Sequence, residues 1–362
     1  MPLVPAVGVV VTNHNNGAYV GRAVESVARQ SLRDLMVIVV DDASTDQSDT
    51  EIRKCLARLD DRRFRYVRLE SNVGQAGAAR RGLAELDTSF VCFLDSDDIW
   101  YDDFAARQIG AHLNADFPVA LTYCDSHIID ADDRMLAGTA WWFDAVIGEW
   151  QTPVQRTIDP SRMPTMDADK GELAYGRSGR LTLHSHWSQH GATNSMASMM
   201  FRRKFVDLVL NRPDRELKLY LDFYLSTLAC LLTGAIALHD SLYAYRMHGQ
   251  NKHSNAAVLG GAYNSSTQAW DPIRRYILGL VLDTLQNEAS ALRLAFGADR
   301  HALAEEMVKE ALADRRNDRG GRPWNRLWDA LRTMATNLGG ERPAQPSDLE
   351  KADLRRSLTS VR

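Results

Sequence analysis

Apolar strand patterns and helical patterns alternate through the first hundred residues of the chain. Short apolar or alternating runs predict four strands, at Val7–Val11, Met36–Val40, Phe64–Arg68 and Val91–Leu94. Between them, apolar residues recur at helical spacing at Val20–Val27, Ile52–Leu59 and Ala76–Leu86. Because strands and helices follow one another in this order, we predict an α/β fold whose mostly parallel sheet carries helices on both faces.

Composition sets limits on the class of protein. With 362 residues, 45% of them hydrophobic and 25% charged, the chain can bury a large core and an added subdomain. The formal net charge of −4 offers no basic excess, so we expect no nucleic-acid partner. The four cysteines are scattered without a close pair, which predicts neither a zinc site nor a disulfide framework. Reduced thiols favour a cytoplasmic location.

One segment has nearly the length of a membrane span. Residues Leu219–Leu238 are mostly apolar, but Asp222 lies among them, and a carboxylate at that depth in a bilayer is costly. We therefore predict a buried helix followed by a strand and no spanning segment, and leave a peripheral membrane contact open. Farther along, helical patterns appear at Ile273–Ala295, His301–Asp314 and Trp324–Leu338.

An acidic cluster ends the fourth predicted strand. Asp95, Ser96, Asp97 and Asp98 follow the apolar run directly. Three carboxylates within four positions repel one another unless a cation lies between them, and oxygen ligands suit a divalent metal. The carboxyl end of a parallel strand is also where open α/β sheets bind ligands. A polar turn that happens to be acidic is the alternative.

Polar residues also follow the first two strands. Thr12, Asn13 and His14 come after the first, and Asp41 and Asp42 come after the second. Carboxylates at such an edge can accept hydrogen bonds from a base N–H or a ribose hydroxyl, while Thr12 can hold a base carbonyl or a sugar oxygen. The alternative for the second turn is a helix N-cap, supplied by Ser44 or Asp46.

No glycine-rich phosphate cradle is present in the sequence. Gly74-Gln-Ala-Gly77 does not match the dinucleotide fingerprint, and no Walker-type run occurs. If a nucleoside diphosphate binds, a metal must therefore neutralise its charge.

Together these segments resemble the family 2 glycosyltransferases of the GT-A fold. The resemblance runs in order over residues 5–105, and its motifs are Val9–Val20, Val37–Asp46, Asn72–Gly77 and Phe93–Asp98. It returns at Ser195–Arg203, Tyr220–Leu225 and Leu242–Asn251.

The resemblance implies a role for each matching residue. Asp42 would contact the base of a nucleotide sugar, with Thr12 alongside. Asp95 and Asp97 would hold Mn²⁺ or Mg²⁺ on the diphosphate, and His248 would reach the metal or the diphosphate. Asp222 would be the general base. The remaining nucleotide-sugar residues that we predict around these are Asn13, His14, Asp41, Asn72, Asp95 and Ser96.

Some positions depart from the family pattern. Thr12 stands in place of a proline, and Leu221 in place of the glutamate that often precedes the catalytic aspartate. The usual Ala-Arg-Asn segment is altered at Ala79, Arg80 and Arg81, where a surface charge is as plausible as a phosphate contact. Trp141, Trp142 and Trp187 could stack on sugars or simply pack.

The implied activity is inverting transfer from a nucleotide-diphospho-sugar, expected to be a UDP-sugar, to a glycan or lipid-linked acceptor. The chain would divide into a nucleotide-sugar half at 1–125, an acceptor half at 126–252 and a helical subdomain at 253–362. A non-catalytic nucleotide- or glycan-binding protein is one alternative. An aspartate-based phosphatase is another, but its motif normally lies on the first strand.

Overall fold

The computed structural model describes residues 6–115, 118–137, 195–210, 217–218, 220–249, 251 and 270–313, with short strands at 156–158, 164–167, 172–175, 181–184, 256–258 and 261–263. The predicted helix at Trp324–Leu338 and the tryptophans Trp141, Trp142 and Trp187 lie outside these residues.

The secondary structure alternates as predicted. The strands are β1 Val7–Asn13, β2 Leu35–Asp41, β3 Phe64–Arg68, β4 Phe90–Asp95, β5 Ile99–Trp100, β6 Leu121–Asp130, β7 Met135–Ala137, β8 Arg156–Ile158, β9 Pro164–Asp167, β10 Glu172–Tyr175, β11 Leu181–His184, β12 Met199–Arg202, β13 Ala235–Met247, β14 Ala256–Val258 and β15 Gly261–Tyr263. The helices are α1 Val20–Ala28, α2 Ser48–Leu59, α3 Gly74–Leu83, α4 Phe104–Asn114, α5 Arg203–Val209, α6 Leu221–Leu232, α7 Trp270–Asn287, α8 Ala289–Phe296 and α9 Ala298–Ala313.

One large sheet organises the molecule. Its order is β3-β2-β1-β4-β12-β6-β13-β11-β8, with β5 beside β13 and β7 beside β6. Strands β3, β2, β1 and β4 are parallel, β12 is antiparallel to both β4 and β6, and β13 is parallel to β6. Six of the seven strands from β3 to β13 therefore point the same way. The predicted mostly parallel α/β fold is confirmed.

Two cores cover the two faces of the sheet. Along β1, Val9 and Val11 join a core that includes residues of α1, α2 and α4, whereas Val10 joins a core built with α3, α5, α6 and the C-terminal helices. This alternation follows from the two-residue period of a strand. Helix α3 lies very close to β1, because a Cβ at Gly82 would approach Val10 to 2.4 Å.

The segment around Asp222 forms α6 and then the long strand β13. A buried helix followed by a strand was the prediction, and no helix of the described residues has the length and apolar character that crossing a bilayer requires. The helical pattern at Ile273–Ala295 is divided between α7 and α8. All four cysteines are buried free thiols.

Strand β6 was not anticipated from the sequence. The apolar pattern weakens near Asp125, yet the strand continues to Asp130 and pairs with β13 along most of its length. Because buried positions of this strand are occupied by polar residues such as Thr122 and Ser126, the sequence lacks the apolar pattern that predicts a strand. The division of the GT-A region at 125/126, which remains a prediction, falls within this one strand.

Candidate active site

The ends of three parallel strands meet at one edge of the sheet. Asn13 of β1 lies opposite Asp41 of β2, and Thr12 lies opposite Asp95 of β4. Strand β13 runs in the same direction, so His248, which follows its last residue, arrives at the same edge. Residues predicted from separate motifs are thereby brought together at the usual ligand-binding edge of an α/β sheet.

Asp41 is fully buried and organises the turns after β1 and β2. Its Oδ1 accepts a hydrogen bond from Asn13 Nδ2 at 2.8 Å and another from the hydroxyl of Ser44. The Nε of Arg68 lies 3.5 Å from its Oδ2. Ser44 Oγ in turn accepts the N–H of Asn15 at 2.9 Å. Asp41 therefore shapes the edge on which other side chains are displayed.

Neither Ser44 nor Asp46 is the N-cap of α2, because Gln47 occupies that position without a side-chain cap hydrogen bond; Asp46 nevertheless bonds the first turn from one residue earlier. Asp46 Oδ1 accepts the N–H of Ser48, the first residue of α2, at 2.9 Å. Its other oxygen accepts the N–H of Gly17 at 2.9 Å. These bonds satisfy a backbone donor at the start of the helix and join the two turns.

Asp42 ties the end of β2 to the start of α3. Its two carboxylate oxygens accept the N–H groups of Val73 and Gly74 at 2.7 and 2.9 Å. The Nδ1 of His14 lies 2.7 Å from the backbone oxygen of Asp42, so this nitrogen carries the proton. Asn72 Nδ2 lies 3.2 Å from the nitrogens of the same ring. His14, Asp42 and Asn72, all predicted donor-site residues, thus form one contiguous group.

Replacing Gly74 by alanine is expected to destabilise the protein by about 1–3 kcal/mol. A residue with a side chain is strained at positive φ, and the space that a Cβ would need here is already occupied. Gly74 has φ +81°, and a Cβ there would lie 2.8 Å from the backbone oxygen of Lys218. The measurement is the free energy of unfolding in urea. Gly21→Ala is the matched control, because a Cβ at this helical position meets nothing within 4 Å, and it should stabilise by about 0.5–1 kcal/mol. Equal effects of the two substitutions would contradict this account.

The acidic turn after β4 is held from several sides. Asp95 Oδ1 accepts a hydrogen bond from Gln75 Nε2 at 2.8 Å and a longer one from the Thr12 hydroxyl at 3.4 Å. Ser96 is buried, and its hydroxyl accepts Asn16 Nδ2 at 3.1 Å. Ser96 therefore anchors the turn against the loop after β1.

Asp97 and His248 face each other at this edge. Asp97 Oδ2 lies 3.1 Å from His248 Nε2, and both side chains are largely enclosed. Next to them, Asp98 Oδ1 accepts the backbone N–H of Arg246 at 2.9 Å. The carboxylates of the turn thus have separate tasks, with Asp97 directed to the histidine and Asp98 to the backbone of β13.

The electrostatics of the turn favour a cation. Burial and, after it, the negative charge of Asp97 raise the pKa of Asp95 to about 7, although the Gln75 hydrogen bond lowers it. Burial likewise raises the pKa of Asp98 well above its usual value, with added repulsion from Asp97 and Asp95. A divalent ion placed here would favour the charged forms of these carboxylates.

The residues present fit a metal bound jointly with a diphosphate. Within the described ranges, no group of three or more His, Cys, Asp or Glu side chains is arranged to hold an ion. Asp97 and His248 supply one carboxylate and one imidazole at adjacent positions. Mg²⁺ and similar ions often take few protein ligands and complete their shell with substrate phosphates and water. The pair therefore suits such a shared site.

Asp222 lies in the first turn of α6 and close to the acidic turn. Its negative charge contributes to the raised pKa of Asp95, after burial and the charge of Asp97. Burial raises the pKa of Asp222, while the N–H of Phe223, 2.8 Å from its Oδ1, lowers it. The preceding Leu221 is fully buried in the core, so this position provides no second carboxylate to the cleft. A buried carboxyl group of raised pKa is suited to accepting a proton.

Sequence reasoning missed three residues that support the site. Gln75 binds Asp95, Arg246 binds the acidic turn, and the Tyr19 ring stacks on His248. Arg246 could have been found, because it lies within the C-terminal motif. Arg81, considered as a phosphate ligand, instead pairs on the surface with Glu85, which lies just beyond the end of α3.

Comparison with known proteins gives the family. Residues 8–173 match the family model described as Glycosyl transferase family 2. This chain carries a family 2 glycosyltransferase domain. The match contains nearly all of β1, the strands β2 to β4, the acidic turn and the turns that follow β1 and β2. The α/β fold with a mostly parallel sheet that the motifs imply agrees with the observed strand order.

Individual relatives of this family 2 glycosyltransferase are distant. An uncharacterised glycosyltransferase of Nostoc is 25% identical over 265 residues, covering 73% of this chain and 71% of the relative. The putative teichuronic acid biosynthesis glycosyltransferase TuaG of Bacillus subtilis is 36% identical over 105 residues, 29% of this chain and 41% of TuaG. Among solved structures, Staphylococcus aureus TarS 1–349 in complex with UDP-GlcNAc has a TM-score of 0.49 and 18% identity, covering 90% of this chain and 81% of TarS 1–349.

Proposed function

We propose that this chain is an inverting glycosyltransferase that uses a nucleotide-diphospho-sugar donor and Mn²⁺ or Mg²⁺. The observation that carries the proposal is the pairing of Asp97 with His248 beside Asp95, with Asp222 interacting from the start of α6. In this proposal the arrangement would hold a diphosphate and, near it, supply a base for an acceptor hydroxyl. A UDP-sugar is the donor we expect.

Each side chain would have a distinct task in the reaction. Asp95, Asp97 and His248 would hold the ion, which would supply positive charge to the diphosphate oxygens as the donor bond breaks. Asp222 would accept the proton of the acceptor hydroxyl while that oxygen attacks the anomeric carbon. The bonding electrons of the broken C–O bond leave with the nucleoside diphosphate, and the anomeric configuration inverts. No covalent sugar–enzyme intermediate is needed.

The donor base would be bound by the group at the ends of β1 and β2. The imidazole of His14 is exposed and offers a face for stacking, and its position is set by Asp42 and Asn72. The enclosed carboxylate of Asp42 would accept a base N–H with lone pairs that the α3 amides leave free. Thr12, Asn13 and Asp41 form the floor of this region.

The acceptor would be a glycan or a lipid-linked sugar. TuaG and the succinoglycan biosynthesis protein ExoO of Rhizobium meliloti, 32% identical over 133 residues, are named for roles in polysaccharide formation. We extend only this general class to the present chain. Residues 126–252 would bind the acceptor, and residues 253–362 would form a separate helical subdomain.

A thermal-shift screen tests the proposal. UDP-, GDP-, CMP- and dTDP-sugars are each added with and without Mn²⁺. A ligand present at 100 times its dissociation constant should stabilise the native state by about 2.7 kcal/mol. We expect a metal-dependent rise in melting temperature with one nucleotide class, followed by release of that nucleoside diphosphate when an acceptor is supplied. Binding without any turnover would instead favour a non-catalytic nucleotide-binding protein.

A further inference from the structure

The ring of Tyr19 contacts two side chains from the end of β13. It stacks on His248, with ring centroids 5.0 Å apart and planes inclined by 29°. The guanidinium carbon of Arg246 lies 4.8 Å from the centroid of the same ring. Tyr19 immediately precedes α1, and its backbone N–H donates to the oxygen of Asn16 at 2.9 Å.

Both neighbours of the ring contact Asp97. His248 Nε2 lies 3.1 Å from Asp97 Oδ2, and Arg246 Nε donates to the backbone oxygen of Asp97 at 2.7 Å. The tyrosine ring is therefore packed against the two side chains that hold this aspartate. Removing the ring would first displace the His248 imidazole and the Asp97 carboxylate, which face each other.

Arg246 and His248 are restrained to different degrees. The fully buried Arg246 also donates to the backbone oxygen of Asp130 at 2.9 Å and pairs with Asp133. In the described part of the chain, the hydrogen bonds and ring contacts of the His248 imidazole go to Asp97 and Tyr19 alone. Besides Asp97, the Tyr19 ring is thus the contact against which the plane of the imidazole lies.

Metal-binding imidazoles require a partner that fixes the orientation of the ring, and this partner is usually a hydrogen-bond acceptor on the second nitrogen. We propose that in this chain the stacked ring of Tyr19 has that task, which makes Tyr19 a positioning residue for a divalent ion bound by His248 and Asp97. The proposal rests on the metal site of the proposed function. Tyr19 itself touches neither the ion nor the substrate in this account.

The test compares Mn²⁺ affinities in the presence of saturating UDP, measured from the electron paramagnetic resonance signal of free Mn²⁺. The full chain is used with Tyr19→Leu, Tyr19→Met and Tyr19→Phe. Losing the aromatic ring should raise the Mn²⁺ dissociation constant about 10-fold, the lower end of the effect seen for residues that orient metal ligands. Tyr19→Phe keeps the ring and should stay within about twofold. Methionine adapts to irregular spaces, so it provides a second ring-free variant if leucine packs poorly.

Two further variants separate the possible outcomes. Tyr101→Leu removes a second tyrosine–histidine contact, with His127 at a centroid distance of 5.4 Å, and should leave Mn²⁺ binding unchanged. His248→Ala should weaken binding at least as much as Tyr19→Leu. If His248→Ala weakens binding and the ring-free variants do not, Tyr19 has no positioning role although the metal site stands. If His248→Ala has no effect, both the metal site and the role of Tyr19 are wrong. Equal losses in Tyr19→Leu and Tyr101→Leu would also overturn the proposal.

Discussion

Asp222→Asn is expected to lower kcat by about 10²–10⁴-fold, the usual contribution of a positioned general base, while leaving donor and Mn²⁺ affinity unchanged. Asparagine keeps the size of the side chain and an oxygen that can accept the Phe223 N–H, as Asp222 Oδ1 does now. It cannot, however, accept the proton of an acceptor hydroxyl at neutral pH. The measurements are the rate of sugar transfer and the calorimetric affinity for the donor with Mn²⁺.

Asp207→Asn is the matched control, because Asp207 is exposed and pairs only one turn along α5 with Arg203. It should retain the native rate. An unchanged kcat in Asp222→Asn would show that another group takes the proton. A loss of donor affinity of similar size would show instead that Asp222 contributes to binding.

The pH dependence of the wild-type rate gives a second measurement on the same residue. Burial raises the pKa of Asp222. A carboxyl group accepts a proton only in its ionised form, so kcat should fall as the pH is lowered through this raised value. We expect the acidic limb at higher pH than an ordinary aspartate, whose pKa is about 3.9, would place it. This limb should be absent from the residual activity of Asp222→Asn.

Asp97→Ala should abolish the metal-dependent part of the donor-induced thermal shift and lower kcat/KM by on the order of 100-fold or more, because the proposed metal ligand is lost. The same substitution should raise the free energy of unfolding of the metal-free protein. The charge of Asp97 raises the pKa values of both Asp95 and Asp98, so its removal relieves repulsion within the buried turn. A substitution that lowers activity and raises stability indicates a carboxylate that is kept for function at a cost in stability.

Asp102→Ala serves as the control for Asp97→Ala. Asp102 follows the same turn but is largely exposed, and its partner Arg29 is 3.5 Å away. We expect native activity, a native response to Mn²⁺ and little change in stability, as is usual for exposed ion pairs. If Asp97→Ala retains its response to Mn²⁺, the metal is bound elsewhere and the site assignment is wrong.

Much of the fold could be predicted because its signals are local. The runs of valine in β1 and β2, and the helical spacing of apolar residues in α1, each reflect burial within one element. Strand β6 was not predicted, because it lacks such a local apolar pattern. It lies in the middle of the sheet, where polar residues such as Thr122 and Asp125 are buried, so apolar alternation no longer marks the strand.

The sequence by itself determined the strand–helix order and the positions of Thr12, Asp42 and Asp95 at the ends of strands. Parallel strands must present such residues at a common edge, so one ligand-binding edge could be inferred without coordinates. The tertiary structure alone decided which side chains meet there. Asp97 and His248 are separated by 151 positions, and the ring of Tyr19 reaches His248 only because β13 ends beside the start of α1. Contacts of this kind depend on how elements pack across the sheet, and no local pattern of residues encodes them.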